Sequence, residues 1–196
     1  GSRIFVEASM YQKFKTDFIA AVSKLKVGNP FDTSTDIGAL VSRPHLEKVK
    51  MYIDNAAKYG GKVIFGGATV SVDNSEDGYY LEPTIIEVQD NSCILNQEEI
   101  FGPVVTIMPF NDENEVVAMA NDVSYGLSAT LWTNDLKRTM RVSKQLEVGI
   151  VWVNTWLLRD LRTPFGGVKS SGVGREGGFE ALRFFTEPKN ICIKYN

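Results

Sequence analysis

The sequence offers metal and nucleophile chemistry very little. It holds two cysteines, Cys93 and Cys192, and a single histidine, His45. Two lone cysteines far apart make no metal signature, so no metal is expected. A Ser-His-Asp site would have to use His45, and nothing around it resembles a catalytic loop. Cys93 with His45 is the one formal nucleophile pair; the alternative, which we favour, is a buried or half-buried structural thiol. His45 follows Pro44 at a helix start, where an exposed first-turn residue is the plain assignment. No apolar run reaches about 18 residues, so no transmembrane helix and no membrane partner are expected. The net charge of −3 supplies no basic patch for phosphates and argues against a nucleic-acid partner. No signal peptide is read at the start, and the scarce cysteines suit a reducing cytoplasm.

What is present is the material of a packed core. A hydrophobic content of 43% in 196 residues is enough for one well-filled domain and too high for a disordered chain. Helical and strand periods alternate throughout. Residues 3–7 read as a strand. Tyr11, Phe14, Phe18, Val22 and Leu25 recur at helical spacing over residues 9–26, with Ser9 as N-cap. Residues 45–59 form a second helix with Leu46, Val49, Ile53 and Ala57 on one face and Gly60-Gly61 as its stop. Strands follow at 63–65, 84–88, 104–110, 127–132 and 150–154. Helices fill 111–121, 135–146 and 175–185, and residues 70–78 are a polar loop. Ile191, Ile193 and Tyr195 alternate with polar residues over 190–195, the pattern of a terminal strand with one apolar face. Such an order predicts an α/β fold, a mostly parallel sheet flanked by helices. The simplest division is one domain over residues 1–186 and a terminal strand over 187–196.

Gly172-Val173-Gly174-Arg175-Glu176-Gly177 matches the dinucleotide fingerprint literally. That fingerprint needs a strand before it and a βαβ unit after it. The preceding residues are loop-like, and the nineteen residues after Gly177 are too few. The glycines are better read as a loop passing close to another backbone.

Two blocks carry more weight. Gln97-Glu98-Glu99-Ile100-Phe101-Gly102-Pro103 sets two carboxylates beside an aromatic and a Gly-Pro break. Pro164-Phe165-Gly166-Gly167-Val168-Lys169-Ser170-Ser171-Gly172-Val173-Gly174-Arg175-Glu176 is a glycine-rich loop opening toward a helix. With Asp36-Ile37-Gly38-Ala39-Leu40, Gly78-Tyr79-Tyr80-Leu81-Glu82-Pro83-Thr84, Tyr125-Gly126-Leu127-Ser128-Ala129, Val151-Trp152-Val153-Asn154 and Thr186-Glu187-Pro188-Lys189, they resemble, in order and spacing, the catalytic domain of the aldehyde dehydrogenase superfamily. The likeness covers essentially the whole chain, with Gly1-Ser2-Arg3 similar to the segment just after the family's nucleophile.

The resemblance implies an enzyme that oxidises an aldehyde to the acid with NAD. A cysteine thiolate attacks the carbonyl, hydride leaves to the nicotinamide, and a glutamate activates water. Nucleophile, glutamate, oxyanion-hole asparagine and the dinucleotide-binding half would all precede Gly1. No residue here is therefore assigned a catalytic role, and the chain alone is expected to be inactive. The resemblance assigns Glu99 to the ribose of NAD, since a carboxylate accepts hydrogen bonds from both hydroxyls of a diol; a solvated surface acid is the alternative. Phe101 matches the aromatic beside the nicotinamide, against an ordinary core residue. Phe165 matches an aromatic at the mouth of the aldehyde pocket, and Asn154 reads as structural. The terminal strand would pair with a neighbouring subunit, implying a homo-oligomer, dimer or tetramer.

The stretch from Asn154 to Gly167 closely resembles the muconic semialdehyde dehydrogenases, whose substrates carry a carboxylate beside the aldehyde. Arg159 suits that carboxylate, because its planar fork holds one bidentately and an arginine beside an apolar substrate would be costly. Leu157 lies in the same pocket-lining stretch. The competing assignment pairs Arg159 with Asp160 or Glu176 and no ligand, and Arg162 reads as a structural or interface charge. The expected substrate is a small carboxylated aldehyde. Betaine-aldehyde or general aliphatic aldehyde oxidation, or a non-catalytic assembly fragment, are the alternatives.

Overall fold

β-Branched runs build the main sheet, and its two faces are covered by different helices. The computed structural model describes residues 2–73, 75 and 77–195; Gly1, Asn74, Glu76 and Asn196 lie outside the described residues. The chain forms two compact units, Gly1–Met119 and Ala120–Asn196.

In the first unit, β1 (Arg3–Glu7) runs through a 3₁₀ turn into α1 (Tyr11–Val22). α2 (Arg43–Asp54), β2 (Gly61–Phe65) and the short pair β3 (Thr69–Val70) and β4 (Tyr80–Leu81) follow. Then come β5 (Thr84–Val88), α3 (Ile94–Gln97) and β6 (Val104–Phe110). α4 (Glu113–Asn121) crosses the boundary in its last turn. The sheet order is β1-β6-β5-β2, with β1 and β5 parallel to β6 and β2 antiparallel on the edge. Successive side chains alternate faces. Ile85 and Ile107 join Val6, Tyr11 and Val22 on the α1 side. Ile86, Val88, Val104 and Met108 join Val49, Tyr52 and Ile53 on the α2 side. Ile86 and Ile107 are fully buried, as strands covered on both faces require.

In the second unit, β7 (Tyr125–Gly126) pairs antiparallel with β10 (Val168–Lys169). β8 (Ser128–Leu131), α5 (Leu136–Gln145) and β9 (Ile150–Val153) form a parallel strand–helix–strand unit. Asp135 caps α5 by accepting from the N–H groups of Lys137 and Arg138 at 2.8 and 3.0 Å. α6 (Gly178–Phe185) ends the regular structure.

The α/β fold with its mostly parallel sheet is as expected, and 3–7, 84–88 and 104–110 are strands with the boundaries read from sequence. Several details differ. Ser9 caps no helix: its hydroxyl donates to Glu7, and α1 starts at Tyr11 and stops at Val22. α2 begins two residues early, with the Ser42 hydroxyl accepting from the His45 N–H. It also ends at Asp54, so the turns that follow bury Ala56 in place of Ala57. α6 starts at Gly178 and not at Arg175. Gly177 has φ +87° and a Cβ there would stand 2.4 Å from the Thr163 carbonyl, so the chain is still turning. Residues 190–195 enter no strand among the described residues. Ile191, Ile193 and Tyr195 are exposed, since a strand needs a ladder partner and none of the described strands supplies one.

A half-buried cluster ties α1 to the sheet. Glu87 accepts from Lys15 Nζ and the Tyr11 hydroxyl, both at 2.8 Å. The Lys15 hydrogen bond, aided by Tyr11 and against some desolvation, holds the Glu87 carboxyl below the ordinary 4.5, while burial and Glu87 push the Tyr11 phenol up. The Glu87 contribution is therefore fully present above about pH 4.5 and lost as pH falls through the lower folded value. Urea unfolding followed from pH 7 to pH 3 should show this loss. Glu87→Gln should unfold more easily at pH 7 and show a flatter acid limb; an acid limb unchanged by the substitution would dismiss the cluster.

Candidate functional site

The segment between α3 and β6 is fixed from two sides. Behind it, a buried polar network seats α3. Asn96 donates to Asn91 Oδ1 at 3.4 Å and accepts from the Thr106 hydroxyl at 2.5 Å, and Gln97 donates to the Asn91 carbonyl at 2.8 Å. Such a network is stable because its members satisfy one another. In front, one face of α2 reaches the segment residue by residue. Tyr52 donates its hydroxyl to the Glu98 carboxylate, Lys48 Nζ donates to the Glu99 carbonyl at 3.0 Å, and His45 Nε2 meets the Phe101 carbonyl at 2.6 Å. A carbonyl only accepts, so Nε2 carries the proton in that bond.

This leaves Ile100 buried and its two neighbours facing out. Glu99 is exposed, and its carboxylate meets no protein donor among the described residues. Phe101 is 72% exposed and left-handed at φ +61°, where a bulky residue is a genuine outlier. Its ring meets that of His45 edge-on at 6.3 Å. Phe101 is thus not the core residue that was its alternative. The sequence favoured an exposed first-turn place for His45 over a formal pair with Cys93, and Lys48 and Tyr52 were passed over. Their spacing of three and four residues on one helix face was the available signal. Cys93 packs half-buried against the α2-side core, and burial pushes its thiol up, the opposite of an activated thiolate.

The second cluster lies in the other unit. Asn154, left-handed at φ +53°, clasps the Thr133 backbone with both ends of its amide, at 2.8 and 2.9 Å. Trp152 donates to the Leu158 carbonyl at 2.8 Å and packs edge-on against Trp156. Between them Leu157 is left-handed at φ +56° and 62% exposed. The Arg159 guanidinium lies 4.2 Å from the Phe165 ring centroid, a cation–π contact, and its Nη2 donates to Glu176 Oε1. Phe165 and Glu176 exchange backbone hydrogen bonds at 2.8 Å each, so ring and carboxylate are placed by one bridge. Arg162 is taken up by Asp160 through Nε and Nη2, which holds the Asp160 carboxyl below its usual range. Phe165 and Glu176 line a groove of about 350 Å³ with Leu127, Phe184 and Phe185; Arg159 and Leu157 do not. Arg159 and Phe165 are therefore brought together, and Leu157 stands two residues before Arg159 in the chain. The Arg159–Glu176 ion pair is one that the competing assignment named, and Asp160 pairs with Arg162 instead.

A family model described as the aldehyde dehydrogenase family matches residues 1–191. The chain is 49% identical over 197 residues to the 2-aminomuconic semialdehyde dehydrogenase of Danio rerio, covering 99% of this chain and 40% of that protein. It is 45% identical to the 2-hydroxymuconic semialdehyde dehydrogenase of Pseudomonas sp. (strain CF600), over 98% of this chain and 40% of that protein. Among solved structures, betaine aldehyde dehydrogenase from Staphylococcus aureus in complex with NAD+ superposes with a TM-score of 0.90 at 40% identity, covering 94% of this chain and 37% of that one. The chain thus spans about 40% of the length of the curated relatives it matches.

The left-handed backbone at Phe101 has a measurable consequence. Phe101→Gly should be more stable to urea than Phe101→Ala by about 1–2 kcal/mol, the usual penalty for a Cβ in that region. Equal stability would mean that residue 101 leaves this conformation freely.

Proposed function

The chain belongs to the aldehyde dehydrogenase family, and from that premise we propose that it serves the NAD-dependent oxidation of a small carboxylated semialdehyde to the diacid. Arg159 carries the reading. One of its nitrogens is held by Glu176 and its face lies on Phe165. Its remaining donors meet no protein acceptor among the described residues, and a planar fork fixed this way is ready for a carboxylate. Glu176 and Phe165 reduce the entropy lost when that carboxylate binds, because the side chain is already ordered. The 2-amino- and 2-hydroxymuconic names of the relatives fit a substrate that carries an acid beside the aldehyde. A betaine aldehyde bears a cation, which a guanidinium would repel, so that alternative suits Arg159 poorly. Exposed Leu157, two residues before Arg159, supplies apolar contact.

The donor set of the first unit suits the cofactor. Glu99 offers an unengaged carboxylate to a ribose diol, and Phe101 offers an exposed ring to the face of a nicotinamide. When bound, NAD supplies the hydride acceptor. The residues assigned here hold and orient; attack on the carbonyl is not assigned to Cys93, which is half-buried with its thiol pushed up, nor to Cys192, a lone exposed cysteine. Attack is assigned to a cysteine outside these 196 residues, and the chain by itself should not turn over aldehyde. Two free thiols suit the reducing cytoplasm. The alternating exposed side chains of Ile191, Ile193 and Tyr195 suit strand addition to a second copy, hence a homo-oligomer.

Arg159→Ala in the full-length protein tests the substrate. It should lower kcat/KM for a carboxylated semialdehyde by about 2–4 kcal/mol, mostly through KM, and leave unbranched aliphatic aldehydes nearly untouched. Equal losses on both substrates would refute the carboxylate clamp.

A further inference from the structure

We infer that His45 is a positioning residue for the cofactor: it holds Phe101 in the left-handed conformation that turns its ring outward beside Glu99. The inference rests on the cofactor reading above and assigns a task to a side chain that reading does not use. Phe101 is one of four left-handed non-glycine residues among those described. A bulky residue stays there only when its surroundings over-determine it. The ring cannot supply the restraint, being 72% exposed. The backbone does: the Phe101 carbonyl is taken by His45 Nε2 at 2.6 Å, and the imidazole also backs the phenyl edge.

The other two α2 side chains act earlier in the segment. Lys48 takes the Glu99 carbonyl and Tyr52 the Glu98 carboxylate, so both fix residues before Ile100. Below them Val49 is fully buried and meets Gly102, where an added Cβ would stand 2.8 Å from a valine methyl. The segment is thus pinned on both sides of residue 101, and the hydrogen bond on the residue 101 carbonyl comes from His45. Return of Phe101 to an extended backbone would swing the carbonyl off the imidazole and the ring away from its place. It would leave Glu99, Ile100 and the core where they are. Loss of the His45 donor should therefore free the ring without unfolding the protein.

His45→Ala, His45→Gln and Glu99→Gln in the full-length protein test this with reduced NAD as probe. Bound-nicotinamide fluorescence lifetime, dissociation constant, single-turnover hydride transfer and thermal midpoint are read for each. His45→Ala should keep its thermal midpoint within about 4 °C, shorten the bound lifetime and slow hydride transfer about five- to tenfold, the effect of one hydrogen bond. The KM for aldehyde should hardly move. His45→Gln, whose amide can donate to the same carbonyl, should recover most of the lifetime and the rate. An unchanged lifetime in His45→Ala, a glutamine variant no better than alanine, or a large fall in thermal midpoint would each overturn the assignment. Glu99→Gln separates the two readings. If it leaves reduced-NAD binding and lifetime untouched, the cofactor site itself is wrongly placed; if it perturbs them while His45→Ala does not, only the role of His45 falls.

Discussion

The contact between Gly102 and Val49 sets what the first unit can present. Val49 is fully buried on α2, and an added Cβ at Gly102 would stand 2.8 Å from its side chain. Only a residue without a side chain lets the backbone enter β6 this close to the helix. That closeness brings the preceding carbonyls within reach of side chains on the next turns of α2. His45, Lys48 and Tyr52 then convert a short irregular segment into a fixed one, and Thr84 secures the far side by donating to the Pro103 carbonyl at 2.7 Å. Irregular backbone held by a rigid helix and a parallel sheet is a common platform for ligand-facing groups.

In the second unit the same economy applies to a charge. A surface arginine carries large rotamer freedom, and binding would have to remove it. Here Phe165 carries the guanidinium face and Glu176 holds one corner, while the backbone bridge between them fixes their separation. A single carboxylate contact leaves donors free, in contrast to Arg162, which Asp160 occupies through two nitrogens. The two arginines lie three residues apart and differ in what remains available to a ligand.

Much of the fold was legible because buried parallel strands are written as apolar runs rich in β-branched residues, as in Thr84–Val88 and Val104–Phe110. Helix ends were less legible. Ser9 looked like a cap because its type is right, but its hydroxyl turns back to Glu7. Arg175 was read as the start of the last helix, yet the chain is still at positive φ at Gly177, and α6 begins only at Gly178. A terminal strand over 190–195 has the right alternation, but alternation specifies a face and not a partner. At the candidate site, Glu99 and Phe101 were singled out by motif. The handedness of Phe101 was not, because a phenylalanine carries no signal of a positive φ. His45 was read as an ordinary first-turn residue, since its partner lies 56 positions away.

The central claim is that the α2 face holds residues 98–101 so that the Glu99 carboxylate stands free for a ribose. A crystal structure of the full-length protein with NAD+ tests it most directly. The expected result places both ribose hydroxyls within about 2.6–3.2 Å of the Glu99 carboxylate oxygens. Phe101 would remain left-handed, with its carbonyl still on His45. A cofactor whose ribose is held elsewhere, with Glu99 turned to solvent, would contradict the account.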